Sequence, residues 1–552
     1  MKKLIIILIA VATIGLSGCE KWLDINKNPN DATRANPDLI LPGVLKTWGA
    51  DVQNLTQLYG AWMGYWYHAG GWSGWYSEKK YEITASYLNR FDYYPGQLTD
   101  TRFIRLNSGD NVMYPAITDV VDAWYYSRLI DLYGDVPYSE ACQPELTLTP
   151  KYDDAETIWL DLIDRLDNAI TVFNNAVNAA DHATNPIYSF KPASDIVFSG
   201  DFTKWKQFAN TLKLRLVMRL TNVRTAAELK GMMDNTVAHG FITANVSVNP
   251  GYSSSDGKTN PWWNTFGKSF SGTVQTSNTQ YVLNRYFHEK MAALADPRLE
   301  KYFFAPASAS PAGTLISRVL GVDGDLVTQP NSTTAANYSW LFIAANATVT
   351  SGRVNSGDGA LDRAVIMIGP EAYFLQAEAA SRGIITTGMT AQAAYEAGIT
   401  ASMTASKVAS ADIDPYLTSV NVAWNTAWSA TEQIKRIIDQ KYIANYFLNH
   451  FESFCDYRRT GYPNPMHPTF TNDAALDPLR EMLSYYPGGL IRRQIPRLFP
   501  YPQAEININN DATMAAINAQ ISKNGVTFNT TSYPFDARTF WDTAPKTIGY
   551  DY

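Results

Sequence analysis

The 552-residue sequence contains few cysteines, few histidines and little charge. Three cysteines are too few for a disulfide-stapled scaffold, and charged residues make up 18% of the chain, below the ~25% that is usual for soluble domains. The net charge is −7 and Lys and Arg form no block, so a nucleic-acid partner is not expected. Glycine (34) and proline (28) are too few for a collagenous or disordered chain.

Local catalytic signatures are absent as well. The sequence has no G-x-S-x-G elbow, no phosphate-binding P-loop and no G-x-G-x-x-G fingerprint. His288-Glu289 begins like a zinc-protease motif, but position 292 is alanine, and no two of the six histidines lie within one helical turn. No cofactor is predicted, although a structural cation stays open. Two carboxylates far apart in sequence are enough for a glycoside hydrolase, so hydrolysis stays open as a rival class.

The N-terminus is typical of an exported lipoprotein. Two lysines precede an apolar run, residues 4–14, that is too short for the ~20 residues of a membrane span. The run leads to Leu16-Ser17-Gly18-Cys19, which resembles a bacterial lipobox. We therefore predict a signal peptide over residues 1–18, a lipid on Cys19 and a polar tether over residues 19–36. The mature chain would be anchored, because no later apolar run approaches ~18 residues.

The other two cysteines are Cys142 and Cys455. A chain of this length has enough core to fold without disulfides, so we interpret both as small buried apolar residues. A long-range disulfide between them is the alternative.

Helical periodicity dominates the rest of the chain. Apolar residues recur at steps of three and four in six stretches: 117–132, 159–173, 205–220, 369–383, 391–403 and 434–446. Pro115 suits the first turn of the first helix and Gly134 its end, whereas the fourth and fifth stretches form a predicted helical hairpin. Strict alternation of apolar and polar residues is scarce, so strands should be few and short. Long polar loops are expected over residues 245–280 and 305–359. We predict a mainly α chain with a single domain over residues 37–552.

Four stretches resemble the SusD-like (SusD/RagB) nutrient-binding outer-membrane lipoproteins of Bacteroidetes. Taken singly each is weak, but all four occur in the family's order and span nearly the whole chain. They are the lipobox with residues 22–26 and 36–42, then residues 128–140, then residues 374–383, and finally residues 440–461 with 497–506.

The resemblance implies a fold and a function. The implied fold has tetratricopeptide-like helix pairs packed against an irregular, loop-rich region with a few short strands. The implied protein is non-enzymatic and lies on the cell surface at the outer membrane. It would capture oligosaccharide or polysaccharide and deliver it to a SusC-like TonB-dependent transporter. A peptide-capturing member of the same family is the alternative, and a surface glycoside hydrolase is a more distant one.

The motif residues themselves favour structural roles. Glu378 and Arg382 stand four apart on one predicted helix and can pair, and Arg458 and Arg459 beside Asp456 predict a local charge network. We expect these charges to maintain the fold rather than contact a ligand.

Saccharide binding requires aromatic rings for the apolar faces of sugars, set among polar side chains. Three segments have this composition: residues 70–76, residues 260–264 and residues 337–340. The candidate rings, in order of preference, are Trp72 and Trp75, then Trp262 and Trp263, then Trp340, with Tyr76 as a flank. The alternative is that these rings pack beneath their own loops, as large aromatics usually do.

Overall fold

The computed structural model describes most of the chain. The described residues are 35–68, 78, 80–182, 184–253, 255–271, 273, 275, 277, 280–305, 311–318, 340–341, 363–463, 495–525 and 537–543. The predicted anchor Cys19 and the predicted rings Trp72, Trp75 and Tyr76 lie outside them.

The described part of the chain is mainly helical, as expected from its periodicity. Its α-helices, in chain order, are α1 (Pro37–Asp51), α2 (Thr56–Trp62), α3 (Thr99–Asn107), α4 (Met113–Tyr133), α5 (Ala155–Asn178), α6 (Phe202–Arg219), α7 (Ala226–Asp234), α8 (Pro261–Phe266), α9 (Arg285–Ala293), α10 (Leu299–Tyr302), α11 (Gly369–Ser381), α12 (Ala391–Ala405), α13 (Ser410–Leu417), α14 (Ala430–Ala444), α15 (His450–Thr460), α16 (Gln503–Ile508) and α17 (Asn510–Asn524). All six predicted helical stretches are confirmed.

The strands are short, also as expected. They are β1 (Trp66–His68), β2 (Val136–Pro137), β3 (Tyr152–Asp153), β4 (Val246–Val248), β5 (Tyr281–Leu283), β6 (Phe303–Phe304), β7 (Trp340–Leu341) and β8 (Ala364–Met367). One sheet has the order β1-β5-β7-β6, and β2 with β3 and β4 with β8 form two-stranded pairs. All pairings between these strands are antiparallel.

Two helical layers form the scaffold. Helices α4, α5 and α6 pack against one another, and α11 packs on α12 and α14 in the expected hairpin arrangement. Side-chain caps begin several of these helices: Asp154 accepts from Thr157 N at 3.0 Å and Asp201 accepts from Lys204 N at 3.1 Å. Each cap satisfies an N–H group that the first helical turn leaves free.

Gly134 ends α4 as predicted. Its φ is +82°, and a Cβ at this position would lie 2.2 Å from the Gln520 amide nitrogen. Glycine is therefore required both by the backbone conformation and by the close approach of α17.

The structure also changes two expectations. The predicted loop over residues 245–280 contains β4 and α8, because Asn260-Pro261 begins a helical turn that periodicity over so few residues does not reveal.

Cys142 and Cys455 are both free, which excludes the alternative disulfide. Cys455 is buried, as expected, whereas Cys142 is only half-buried.

The core has two parts. A large apolar cluster joins α1, α2, α4, α5 and α6 with α15, and a smaller one lies beneath the α11–α14 helices, around Phe374, Tyr395 and Ile399. Within the described residues, no helix is both long enough and apolar enough to cross a bilayer.

Candidate functional site

Four short strands bring together described parts of the chain that adjoin the aromatic segments in sequence or in space. β1 ends at His68, opposite Tyr281 of β5, and residues 69–77 follow it directly in the chain. Trp340 begins β7 and pairs with Val282 on the other side of β5. The chain leading into segment 70–76 and the backbone of Trp340 are therefore held on two strands that flank β5.

Helix α8 joins the same sheet through aromatic contacts. The Phe266 ring centroid lies 5.7 Å from that of Trp66 in β1 and 5.8 Å from that of Tyr281 in β5. Asn260 positions the helix, because its Oδ1 accepts from the backbone N–H groups of Trp262 at 2.8 Å and Trp263 at 3.2 Å. The backbone of Trp340 thus lies in this sheet, and the helix that carries Trp262 and Trp263 packs against it. Segment 70–76 follows β1 directly in sequence.

Trp262 corrects the sequence interpretation. Its side chain is 1% exposed, and its ring centroid lies 5.8 Å from Phe266 and 5.0 Å from Phe447. The cause is helical spacing: residues 262 and 266 stand four apart, so both face the interior. Trp262 is a core residue, and its ring is not presented to a ligand.

Trp263 occupies the other side of α8. It is half-buried, and its ring lies against Gly267, where an added Cβ would be 2.5 Å from the indole. The neighbouring Asn264 is exposed. Of the pair Trp262 and Trp263, only Trp263 combines a partly solvent-accessible ring with an adjacent free amide.

The remaining predicted rings stay predictions. Trp72, Trp75 and Tyr76 lie outside the described residues, as does the side chain of Trp340, for which only the backbone in β7 is described.

Glu78 is a polar group that sequence reasoning missed. Tyr87 donates its hydroxyl to Glu78 Oε1 at 2.5 Å, and Trp62 Nε1 donates to the Glu78 carbonyl at 3.2 Å. Burial raises the pKa of Glu78, against the lowering effect of the Tyr87 hydrogen bond. Its Oε2 is buried and has no hydrogen-bond partner. The sequence feature that could have indicated Glu78 is its position, two residues after the aromatic pair Trp75-Tyr76.

Arg318 stiffens the base of this region. Its Nη1 donates to the His68 carbonyl at 2.9 Å, at the end of β1. Its backbone N–H donates to Leu283 at 2.8 Å, and its carbonyl accepts from Arg285 at 2.8 Å. Arg318 thus binds the end of β1 through its buried guanidinium, which also lies over the Tyr67 ring, and the end of β5 through its backbone. Such rigidity suits a binding surface.

The charged residues of the sequence motifs form a separate, buried network. Arg459 pairs with both oxygens of Glu378, at 2.6 and 2.7 Å, and with Asp456 at 3.0 Å. Arg382 reaches the same Glu378 at 2.8 Å, so the predicted i,i+4 pair is confirmed. Arg215 makes a two-pronged contact with Glu371, at 2.8 and 2.7 Å.

The network links distant helices rather than forming a cleft. Arg219 of α6 pairs with Glu452 of α15, and Lys441 of α14 lies 2.8 Å from Asp456 of α15. All four side chains are at most 5% exposed. The predicted charge network around residues 456–459 is confirmed as part of the fold.

These carboxylates are unsuited to acid catalysis. Burial opposes the ionisation of Glu378, but the Arg459 and Arg382 guanidiniums outweigh it and lower its pKa to about 2. Glu452 behaves similarly: Arg215 and Arg219 outweigh burial and lower its pKa. A glycosidase needs a carboxyl group that stays protonated near neutral pH, and neither residue does so.

The cavities of the described structure agree with a structural role for the buried charge network. The cavity inside the network, between Asp131, Arg219 and Glu452, holds about 10 Å³, which is room for one water rather than a sugar. Two larger surface clefts, of about 500 and 440 Å³, lie at Lys523 and at Arg363, and neither is lined by a tryptophan. Among the described residues, no group of three or more His, Cys, Asp or Glu side chains could hold a metal ion.

Comparison with known families matches this architecture. A SusD-like family model, described as starch-binding and associating with the outer membrane, matches residues 29–486. The chain belongs to the SusD-like family. The match includes every aromatic candidate and the buried charge network, so the resemblance that the sequence motifs indicated is confirmed.

Solved structures share the fold over nearly their whole length. A SusD homologue from Bacteroides uniformis is 24% identical, with 91% of this chain and 99% of that chain covered and a TM-score of 0.68. A chitin-binding SusD homologue from Flavobacterium johnsoniae is 22% identical, with coverage of 92% and 99% and a TM-score of 0.68. A SusD-like protein from Bacteroides thetaiotaomicron is 21% identical, with coverage of 92% and 100% and a TM-score of 0.65.

At these identities the structural matches establish the fold alone. No curated protein matches the chain. The SusD-like chain is thus assigned to an outer-membrane-associated family by its family model, and its fold by its structural neighbours.

Proposed function

We propose that this SusD-like protein is a non-enzymatic cell-surface lipoprotein that captures glycans and delivers them to a SusC-like TonB-dependent transporter. The observation that carries the proposal is that the end of β1, the backbone of Trp340 in β7 and helix α8 all meet at the β1-β5-β7-β6 sheet. The sheet holds the chain leading into residues 70–76, and its Trp66 and Tyr281 pack against Phe266 of α8, which carries Trp263. Family membership supports the outer-membrane setting.

The chemistry of this region suits a sugar. An aromatic ring can stack on the apolar C–H face of a pyranose, whereas sugar hydroxyls need hydrogen-bond partners close by. Trp263 and Asn264 offer one such pairing. Trp72, Trp75, Tyr76 and Trp340 are the other rings that we propose as ligand-binding residues.

Absence of catalysis is part of the proposal. Its support is membership of a family whose model is described as starch-binding. The ion-paired Glu378 and Glu452 stay ionised and do not serve as general acids. Cys19 is the proposed point of lipid attachment, and the transporter is the proposed partner.

A single assay tests the proposal against its alternatives. Purified protein is run through native gels containing individual polysaccharides, and incubated with the same polysaccharides and with a peptide mixture. Retardation by a glycan without new reducing ends is expected. If no glycan retards the protein but peptides are bound, the peptide-capturing alternative is correct. If new reducing ends form in proportion to the amount of purified protein, the protein is a hydrolase.

A further inference from the structure

Only three of the tryptophan side chains that the structure describes reach solvent. The buried ones are Trp48, Trp62, Trp66, Trp124, Trp159, Trp205, Trp262 and Trp541. The half-buried ones are Trp263, in the site above, and Trp424 and Trp428. The latter two share one connection, residues 418–429, between α13 and α14, on the helical-hairpin half of the molecule.

The two rings meet at an angle. Their centroids are 5.6 Å apart and their planes are inclined by 65°. Each ring is supported from within the protein: Tyr395 lies 5.3 Å from Trp424, and the Arg436 guanidinium lies 5.3 Å from the Trp428 centroid. Trp424 also packs against the smaller apolar cluster beneath α11–α14, so the two half-buried rings are held in place.

The connection that carries the rings is fixed at both ends. Val422 is fully buried, and its carbonyl accepts from the Tyr395 hydroxyl at 2.9 Å. The Trp428 carbonyl accepts from Gln433 Nε2 at 3.2 Å, and its N–H donates to the Asn425 carbonyl at 3.1 Å. Because the backbone is held in this way, binding would not have to order it, and preorganised surfaces bind with a smaller entropy cost.

Hydrogen-bonding groups surround the rings and remain uncommitted. Among the described residues, neither the indole N–H of Trp424 nor that of Trp428 has an acceptor, and neither nitrogen is buried. Asn425 is exposed and uses only its Oδ1, which accepts from Ala427 N at 2.8 Å, so its amide N–H groups are available. A buried structural tryptophan usually finds a partner for its N–H, whereas these donors face water.

We propose that Trp424, Trp428 and Asn425 form a second saccharide-binding surface, distinct from the sheet-based site. This inference rests on the proposed capture of glycans. The ligand is a neutral saccharide, because the charged group that contacts the rings, the Arg436 guanidinium, is ion-paired with Glu432 at 2.9 Å and is not left free for an anion. Two such surfaces on one chain would hold a long polymer more tightly than either surface alone, through effective concentration.

The test observes the two rings directly. Full-length protein is labelled with fluorotryptophan, and the resonances of the two residues are assigned with Trp424→Phe and Trp428→Phe. Malto-, chito-, xylo- and manno-hexaose are first screened on wild-type protein in affinity gels, and the retained sugar is then titrated. The Trp424 and Trp428 resonances should shift in a saturable way, also in the Trp263→Ala variant, whereas that of the buried Trp205 should stay fixed.

Binding measurements complete the test. Trp428→Ala should weaken saccharide binding at this surface about tenfold, the loss of one stacked ring. Val420→Ala is the matched control, because Val420 is 91% exposed on the same connection and offers no ring.

Three outcomes overturn the inference. If a hexaose is retained but neither resonance moves, the second surface is wrong while glycan capture stands. If no hexaose is retained and neither resonance moves, both proposals fail. If Trp428→Ala and Val420→Ala each abolish co-purification with a membrane protein and no sugar shifts either ring, the surface is a protein-docking site instead.

Discussion

Neighbouring tryptophans in α8 illustrate how one position in sequence changes the role of a side chain. Trp262 is packed against Phe266 and Phe447, and Trp263 is half-buried on the other side of the helix. Composition alone treated the two as equivalent, because both sit in the polar segment 260–264. Only the helical register separates them, and that register depends on the Asn260 cap, which residue composition does not reveal.

The pair makes a matched experiment. Trp263→Ala should weaken glycan binding about tenfold, because a stacked ring is worth on the order of 1–3 kcal/mol, while the free energy of unfolding changes little. Trp262→Ala should instead lower the free energy of unfolding by about 3–5 kcal/mol, the usual cost of emptying a buried tryptophan site. Titration calorimetry and urea denaturation measure the two quantities. Equal losses of binding and stability in both variants would contradict the assignment.

At the scale of elements, long periodic helices were predictable and short elements were not. Residues 117–132 predicted α4 because six apolar residues form one stripe and Gly134 ends it. By contrast, α8 has six residues and β1 has three, too few for a period to be recognised. The pairing of β1 with β5 joins residues more than 200 positions apart, and no local pattern carries such information.

Removing the cap of α8 should affect both stability and binding. Asn260→Ala eliminates the side-chain acceptor for two N–H groups and should cost about 0.5–2 kcal/mol. Glycan affinity should fall as well, because the helix positions Trp263. Thr390→Ala is the control: it removes the corresponding cap of α12, which accepts from Ala393 N at 3.2 Å, far from the sheet in sequence. Thr390→Ala should lower the free energy of unfolding without lowering glycan affinity. An equal loss of affinity in both variants would show that α8 does not position a binding residue.

The buried ion pairs between helices should make stability depend on acidity. Glu378 has its pKa lowered from 4.5 to about 2 in the folded protein, so its ionised form stabilises the fold above pH 4.5. As the pH falls from about 4.5 to about 2, wild type loses this contribution, roughly 3 kcal/mol, while Glu378→Gln has none to lose. The stability difference between the two proteins, measured by urea denaturation, should therefore shrink across that interval.

A control is available on α10. Glu300 is exposed, so Glu300→Gln removes one carboxylate from the surface and should change the free energy of unfolding by only a small amount. A constant gap between wild type and Glu378→Gln down to pH 2.5 would contradict the assigned role of Glu378.

For the whole molecule, the sequence motifs identified the family and the fold but only part of the site. Asp456, Arg459 and Glu378 were interpretable as fold-maintaining because opposite charges at helical spacing can pair wherever the chain folds. The second pair of accessible rings was missed, although Trp424-Asn425-Thr426-Ala427-Trp428 has the same aromatic and amide composition as the segments that were chosen. Composition does not reveal which rings the tertiary structure covers.

At the scale of the whole molecule, we predict that a lipid on Cys19 holds the protein at the outer membrane. Cys19→Ala should remove the lipid and release the protein into the periplasm, because the tether that follows is polar. Fractionation followed by immunoblotting measures the distribution, and Cys142→Ala should remain with the outer membrane. If Cys19→Ala stays in the outer-membrane fraction at the wild-type level after a high-salt wash, the anchor lies elsewhere.

The partner is the other prediction at this scale. Mild detergent extraction should recover the protein together with a much larger β-barrel chain, through an interface well above ~1,000 Å². Affinity purification followed by mass spectrometry identifies the co-purifying chain. Recovery of the protein alone, in a detergent that preserves other outer-membrane complexes, would contradict the partnership.

The contact between Trp541 and Asp131 has a consequence for the order of folding. The indole N–H donates to the carboxylate at 3.0 Å across 410 positions of sequence. Arg497 pairs with Asp542 in the same region, where it is also buried. Because 410 positions separate the two residues, a long stretch of chain must be synthesised after Asp131 before its carboxyl group gains this partner. Contacts of such long range close slowly, so this part of the core is completed late in folding.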